Sequence, residues 1–184
     1  MACATRRWRQ VSAPVLLAVL MWTILPLMGC GQQEISTASG LAQAGKLNFS
    51  FEREGETFSV SAELGAGEDA ATRVFCFRFL APQTLSGLVI CRKSEGGVVE
   101  MSMGGPAAEV AADSTLLVPL RALCPGGAEL CDTTRTSEGV TLTLKRGDDE
   151  SYTLVFGGGG ERPTRIVYRY AGGSIELTVR EANA

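Results

Sequence analysis

The chain has 184 residues, with 17 basic and 20 acidic side chains, six cysteines and no histidine. Without histidine it has no Ser-His-Asp or Cys-His catalytic arrangement and no histidine-based metal site. We therefore expect a protein that is not an enzyme, with no catalytic residue, no metal and no cofactor.

The N-terminal residues 1–29 have the organisation of a secretory signal peptide. Three arginines within residues 6–9 form a positive region, and residues 11–28 form an apolar region. The following run Leu27-Met28-Gly29-Cys30 resembles the lipobox of bacterial lipoproteins, in which a diacylglycerol is attached to the cysteine and the chain is cut before it. The alternative is an uncleaved transmembrane anchor over residues 11–28, but Pro26 favours the extended chain that a signal peptidase needs. We therefore predict lipidation of Cys30.

The charge of the mature chain bears on its partners. Loss of residues 1–29 removes three arginines and leaves 14 basic and 20 acidic residues, a formal charge of −6. An anionic membrane surface repels an acidic domain, so acyl chains on Cys30 would supply the anchor. The charge also argues against nucleic acid as a partner, because no basic stripe neutralises phosphates. We expect an extracytoplasmic protein held on a bacterial membrane, whose oligomeric state the sequence leaves open.

After Cys30 the sequence predicts a short tether and then one β domain. Residues 30–45 are rich in Gln, Ser, Ala and Gly, which is typical of a lipidated tether with at most a helical turn near Leu41. Residues 46–184 suit one domain, and most of them alternate between apolar and polar side chains with the period of two of β-strands.

The strands follow one another at short intervals. The alternation is clearest at residues 47–51, 58–62 and 74–79, and it predicts further strands at about 87–93, 97–103, 107–112, 139–146, 151–156, 164–170 and 174–180. Gaps rich in Gly, Asp and Pro separate most of them, as an antiparallel meander requires.

One segment, Ser114 to Leu123, is a candidate helix. Asp113 or Ser114 can cap it, and its leucines recur at helical spacing. Because Pro119 tolerates only a helix that starts close to it, the segment predicts a short helix or a turn followed by a strand. If it is helical, its leucine face rests on the sheet.

Two cysteines define a hairpin register. With Cys76 opposite Cys91, Phe77 lies opposite Ile90 and Phe79 lies opposite Leu88 on one face. The other face then carries the cysteines together with valines and cations. A slip of one residue would mix the two faces, so this register is the one that the polarity pattern favours.

Four cysteines remain after export and lipidation, and three pairings of them are possible. Cys124 and Cys131 enclose a short flexible loop that closes easily, which leaves Cys76 to pair with Cys91. The alternatives are reduced, buried cysteines and, less favoured by the spacing, a zinc site. We predict the disulfides Cys76–Cys91 and Cys124–Cys131.

Several short motifs resemble one known superfamily. They are the run Phe79-Leu-Ala-Pro-Gln-Thr-Leu-Ser-Gly-Leu88, the hairpin at 98–105, the leucine-rich turn at 116–123, and the closing strands with Pro163-Thr-Arg-Ile166 and Gly173-Ser-Ile-Glu-Leu177. Over residues 46–180 the chain is similar to the LolA/LolB-like lipoprotein carriers, and especially to surface lipoproteins of clostridia and related bacteria. The resemblance implies a mainly β fold, a single curved antiparallel sheet (a half-barrel) with one short covering helix around an apolar cavity.

The resemblance suggests a function as well as a fold. Carriers of this superfamily hold acyl chains in the cavity, so we expect a lipoprotein that binds an acyl chain, a lipid or a lipidated protein. The side chains expected to line the cavity are Phe77, Phe79, Leu88, Ile90, Leu116 and Leu120. The alternative is a structural or protein-interaction module of the cell envelope with a filled core. A pocket of hundreds of cubic ångströms would separate the two.

Overall fold

An eleven-stranded antiparallel sheet makes up most of the protein. The computed structural model describes residues 39–93, 97–137, 139–158 and 161–181. The strands are β1 (Gly45–Arg53), β2 (Glu56–Leu64), β3 (Phe75–Ala81), β4 (Val89–Arg92), β5 (Val99–Ser102), β6 (Ala108–Val110), β7 (Glu129–Thr136), β8 (Gly139–Arg146), β9 (Glu150–Gly157), β10 (Arg165–Tyr170) and β11 (Gly173–Glu181). Short 3-10 helices cover Ser39–Ala42, Gln83–Leu85 and Thr115–Leu117, and one α-helix, α1, covers Val118–Ala122.

The strand order shows how the two halves of the chain meet. It runs β6-β5-β4-β3-β2-β1-β11-β10-β9-β8-β7, so that each half is a meander of neighbouring strands. The halves join where β1 pairs with β11, for example at Leu47 opposite Glu181. The chain then passes from one edge strand, β6, to the other, β7, through the segment that contains α1. The described sheet is therefore open, curved and mainly β, with one short helix, which confirms the predicted fold class.

The first hairpin shows how local sequence forms this sheet. Glu54 and Gly55 make the two-residue turn between β1 and β2, with φ values of 55° and 82°. Two positive φ values are the geometry that matches the twist of a tight β-hairpin, and glycine adopts it without steric cost. The turn brings Phe51 directly opposite Phe58 at the end of the hairpin.

The apolar core covers the inner face of the sheet. Strand residues alternate between buried and accessible positions, as in β9, where Tyr152, Leu154 and Phe156 are buried. The same face of β1 to β4 buries a set of phenylalanines, and Phe77 packs edge-on against Phe49 with ring centroids 5.5 Å apart. Aromatic pairs of this geometry contribute about 0.5–1.5 kcal/mol beyond the area they bury.

The structure confirms the predicted hairpin of β3 and β4. Cys76 lies opposite Cys91 and Phe77 lies opposite Ile90. Beyond the strand end, the Phe79 amide donates to the Leu88 carbonyl at 2.9 Å, which continues the same register. The inner residues of this hairpin are buried, whereas Arg78 on the outer face is exposed.

The candidate helix is present but short. The Ser114 hydroxyl accepts a hydrogen bond from the Leu116 amide, a 3-10 turn follows, and Pro119 lies in the first turn of α1. The helix packs on β10 and β11. Three of its leucines are buried, but Leu116 remains 36% exposed, so the leucine stripe only partly rests on the sheet.

One strand was not predicted. β7 forms over Glu129–Thr136, where the sequence analysis placed a disulfide-closed loop and an unassigned segment. Seven of its eight residues are exposed, and it pairs with β8 on one side. An edge strand of this kind has no apolar face to bury, which explains why its sequence lacks alternation.

Candidate functional site

An apolar groove lies at one end of the sheet. Its volume is about 490 Å³. It is bounded by the ends of the β1–β2 and β10–β11 hairpins, by the β3–β4 connection and by the segment that leads into α1. Its lining comprises Phe51, Glu52, Arg53, Phe58, Phe79, Leu85, Leu88, Met101, Thr115, Leu116, Val118, Pro119, Tyr170, Gly172, Gly173, Ser174 and Ile175. The volume is within the range of small-molecule sites, roughly 300–1,000 Å³.

Aromatic rings form the wall of the groove on the β1–β2 hairpin. Phe51 and Phe58, which are paired across the two strands, stack with ring centroids 4.9 Å apart and an interplanar angle of 5°. Phe51 also stacks with Phe49 at 6.2 Å, so the wall continues into the core. Phe58 is half-buried, and its accessible surface faces an empty space that an apolar group could fill without displacing a side chain.

The opposite end of the sheet is filled by a buried arginine. Arg73 is 1% exposed. Its Nε donates to the Gly65 carbonyl at 2.9 Å, and its terminal nitrogens donate to the Gln43 carbonyl at 2.9 Å and the Leu123 carbonyl at 3.3 Å. One guanidinium thereby joins the start of β1, the loop after β2 and the end of α1.

A second buried arginine supports the same end. Arg92 donates to the carbonyls of Gly97 and Ala70 at 3.1 and 2.8 Å, and its guanidinium lies 5.6 Å from the centroid of the Phe75 ring. Burying a guanidinium is costly unless its donors are satisfied, and these contacts satisfy several of them. The two arginines pack this end of the domain, whereas the groove lies at the other.

The structure separates the predicted cavity residues into two groups. Phe79, Leu88 and Leu116 line the groove. For the other three the prediction is wrong, because they lie in the packed core at 1% exposure or less: Phe77, Ile90 and Leu120. Phe77 and Ile90 form the next pair along the hairpin, farther from the open end, and α1 turns Leu120 onto the sheet.

The sequence analysis missed the part of the lining that comes from the two central hairpins. Phe51, Phe58, Tyr170 and Ile175 belong to strands that were predicted, but their proximity depends on the pairing of β1 with β11. The first and last strands of a meander carry no local signal that they are neighbours. In the sequence, the contribution of these strands to the groove was indicated only by the large apolar residues at the strand ends.

The cysteines differ from the prediction in one pair. The disulfide between Cys76 and Cys91 is present, on the outer face of the sheet. The predicted Cys124–Cys131 disulfide is wrong, because both thiols are free. Cys131 lies exposed at a bulge of β7, and Cys124 is buried beside Arg73, whose guanidinium is 3.5 Å from its Sγ. Burial raises the pKa of the Cys124 thiol, although the contact with Arg73 opposes the shift.

A cluster of polar side chains connects the β8–β9 hairpin to the turn after α1 through hydrogen bonds. Arg146 donates to Glu150 at 2.6 Å and to the Gly126 carbonyl at 3.1 Å, and the Tyr168 hydroxyl donates to Glu150 at 2.7 Å. Burial opposes ionisation of Glu150, but these two hydrogen bonds outweigh it and hold the carboxyl pKa below its ordinary value. Burial, together with the bond to Glu150, raises the pKa of Tyr168 to about 12. The cluster therefore links β8, β9 and β10 to the turn after α1, with Glu150 ionised at neutral pH.

The predicted lipidation site, Cys30, and the whole predicted signal peptide lie outside the described residues. Within the described ranges, no helix has the length and apolar character needed to cross a membrane. The described chain starts at Ser39, next to the end that Arg73 fills, because Gln43 binds that guanidinium. The N-terminal entry and the groove are thus at opposite ends of β1.

The chain was compared with known proteins. No family model matches it, and no curated protein matches it in sequence. Among solved structures it is similar to an uncharacterized conserved protein from Thermus thermophilus, with 16% identity over 83% of this chain and 88% of that one and a TM-score of 0.46. It is also similar to a LolA superfamily protein from Nitrosomonas europaea, with 12% identity over 83% and 93% and a TM-score of 0.48.

A third similar structure is a DUF1329 family protein from Desulfovibrio piger, with 9% identity over 78% of this chain and 87% of that one and a TM-score of 0.44. At these identities the likeness concerns the fold alone.

Proposed function

We propose that the protein is a membrane-anchored extracytoplasmic lipoprotein whose groove binds an apolar chain, supplied by a lipid or by a lipidated protein. The observation that carries the proposal is the groove itself, which has about 490 Å³ of space between aromatic and aliphatic walls at one end of the apolar core. A module that served only as structure would gain stability by filling this volume, since unfilled apolar space forfeits packing contacts.

The size of the groove suits one acyl chain. A water molecule occupies about 30 Å³ in the liquid, and a methylene group is of similar size, so the groove holds about sixteen such groups at most. Each methylene that leaves water contributes about 0.8 kcal/mol. A single chain therefore supplies enough binding energy for specific capture, whereas the two or three chains of a lipid anchor exceed the space. The anchor of this protein would then remain in the bilayer.

Membrane anchoring rests on the lipobox run that ends at Cys30, and it is compatible with the placement of the groove. The described N-terminus lies at the end that Arg73 fills, and the groove lies at the opposite end of β1. The disulfide Cys76–Cys91 suits an oxidising compartment outside the cytoplasm.

A pair of matched variants tests ligand binding. The protein is the mature chain, residues 30–184, with Cys30→Ala so that its own lipid does not compete. Leu116 and Leu80 are both exposed leucines, at 36% and 50%, but Leu116 lines the groove whereas Leu80 does not. Titration with a neutral twelve-carbon monoacylglycerol, by displacement of a fluorescent probe for apolar sites, should show saturable binding that Leu116→Asp weakens at least tenfold.

The control variant, Leu80→Asp, should bind the monoacylglycerol with unchanged affinity. Equal affinity of all three proteins, or no saturable binding by the parent, would contradict the proposal. The second outcome would favour the structural or interaction module instead.

A further inference from the structure

The charged residues at the mouth of the groove come from one hairpin. Among the lining residues that the structure describes, only Glu52 and Arg53 are charged, and both belong to the end of β1. The turn and the start of β2 add Glu54 and Glu56, and all four residues are exposed. We call residues 52–56 the acidic hairpin.

The single cation of the acidic hairpin has acidic neighbours on two sides. Arg53 Nε lies 3.6 Å from Glu54 Oε1, and Glu56 is the residue directly opposite Arg53 in the β1–β2 pairing. The acidic hairpin therefore carries one positive and three negative charges, a formal charge of −2 at this side of the mouth. An anionic group that approached Arg53 would also come close to Glu54 and Glu56.

The other segments that reach the groove do not compensate this charge. Residues 82–88, 101–107, 115–119 and 170–175 contain no charged side chain. Arg121, on α1, donates to the Ala112 carbonyl. These segments offer hydroxyl and backbone groups to a bound molecule, but no positive charge.

Two further charged residues flank the mouth. Arg169, on β10 next to the groove residue Tyr170, is exposed and adds one positive charge. Asp113 precedes the cap of the 3-10 turn and adds another negative charge beside the segment 115–119. The balance at the mouth remains negative.

We infer that the groove selects amphiphiles with a neutral or cationic headgroup over anionic ones with the same chain. The inference rests on the proposed function, since it assumes that the apolar chain lies in the groove and the headgroup at its mouth. A free fatty acid would bring its carboxylate next to the acidic hairpin, whereas an esterified or amide-linked chain, such as an acylglycerol or the acylated end of a polypeptide, would not. The acidic hairpin also disfavours contact of the open end with an anionic bilayer surface.

Coulomb interactions set the size of the effect. Two uncompensated charges at about 6–10 Å from a headgroup, in a medium of high dielectric constant, change affinity by about three- to tenfold. Because all these groups are exposed, salt reduces the effect, and it should largely disappear at about 1 M ionic strength, where the screening length is about 3 Å.

The experiment compares three amphiphiles with the same twelve-carbon chain and different headgroups. They are monododecanoyl glycerol, dodecanoate and dodecyltrimethylammonium, titrated below their micelle concentrations against the mature chain with Cys30→Ala. The anion should bind about three- to tenfold more weakly than the neutral compound at low salt. The cation should bind at least as tightly as the neutral compound, and the differences should shrink as salt is added.

Charge reversal in the acidic hairpin provides the decisive variant. Glu52→Lys should raise the affinity for dodecanoate and lower that for the cation, with little change for the neutral compound. The matched control is Glu63→Lys, an exposed position on the same hairpin but at the far end, opposite Lys46. At about 3.3 Å per residue it is more than 15 Å from the groove end of β2, beyond the screening length at physiological salt. It should change none of the three affinities.

The outcomes distinguish the two claims. Saturable binding of the neutral compound with equal or tighter binding of dodecanoate would overturn the headgroup inference and leave the proposed function standing. The same holds if Glu52→Lys and Glu63→Lys shift the affinities alike. A lack of saturable binding by all three compounds would instead refute the proposed function and the inference with it.

Discussion

Replacement of Arg73 by methionine should remove a large part of the stability of this domain. Arg73→Met keeps most of the aliphatic stem but removes every donor, so the carbonyls of Gly65, Gln43 and Leu123 lose a charged partner. A hydrogen bond to a charged group contributes about 1.5–3 kcal/mol, and removal of the buried guanidinium returns part of its desolvation cost. We expect a net loss of about 3 kcal/mol, against a total stability of about 5–15 kcal/mol for a domain of this kind.

The matched control for Arg73→Met is Arg78→Met, five residues along and exposed on the outer face of β3. It should change stability by less than about 0.5 kcal/mol. Urea unfolding followed by tyrosine fluorescence and circular dichroism measures both variants, since tryptophan occurs only at positions 8 and 22, in the predicted signal peptide. Equal unfolding midpoints for the two variants would refute the reasoning that the hydrogen bonds of Arg73 stabilise the end of the domain opposite the groove.

Three further predictions concern ionisation, anchoring and the free thiols. Since hydrogen bonds hold the pKa of Glu150 below its ordinary value, the carboxylate stabilises the fold at neutral pH and loses this effect as the pH falls through the folded-state pKa. The cost of Glu150→Gln should be about 1–3 kcal/mol at pH 7 and should shrink below about pH 4.3, and a cost independent of pH would contradict the assignment. Cys30→Ala should abolish fatty-acid labelling and leave either soluble protein or uncut precursor in cell fractions; label retained on the variant would disprove lipidation at Cys30. In the folded protein a maleimide should modify exposed Cys131 quickly and buried Cys124 only after unfolding, and failure to modify Cys131 in either state would restore the predicted disulfide.

The β3–β4 hairpin shows what the sequence is sufficient to predict. At its centre the inner face carries only apolar side chains, whereas the outer face combines the cysteines with Arg78 and Lys93. Placing the two cysteines opposite each other gives the same register that the apolar residues favour. Register, buried face and disulfide were all predicted there, and the structure confirms them. The lining residues Phe79 and Leu88 follow from the same pattern.

The remainder of the groove depends on long-range pairing. β1 and β11 are separated by most of the chain, and an alternating strand does not specify which distant strand it joins. For that reason the contribution of Phe51 and Ile175 to the groove was not predicted. β7 was missed for a related reason, since an exposed edge strand has no polarity pattern to recognise.

The buried arginines were missed for a different reason. Arg73 and Arg92 are both buried, although arginine is rarely buried in proteins. Their acceptors are backbone carbonyls of loops and of the end of α1. Every residue has such a carbonyl, so the sequence does not indicate which ones will bind an arginine. The register with Cys76 opposite Cys91 also places Arg92 opposite Phe75 on the inner face. That placement was the indication in the sequence that Arg92 is buried. The wrong Cys124–Cys131 pairing belongs with this group, because Cys124 is buried against Arg73.

The most direct test of the central claim is a chain-length series of neutral monoacylglycerols titrated against the mature chain with Cys30→Ala. If the chain lies in the groove, affinity should rise about fourfold for each added methylene, the equivalent of about 0.8 kcal/mol. The rise should end at about sixteen carbons or fewer, where about 490 Å³ is full. Affinity that does not depend on chain length, or that rises without a limit as in partition into an aggregate, would contradict the claim.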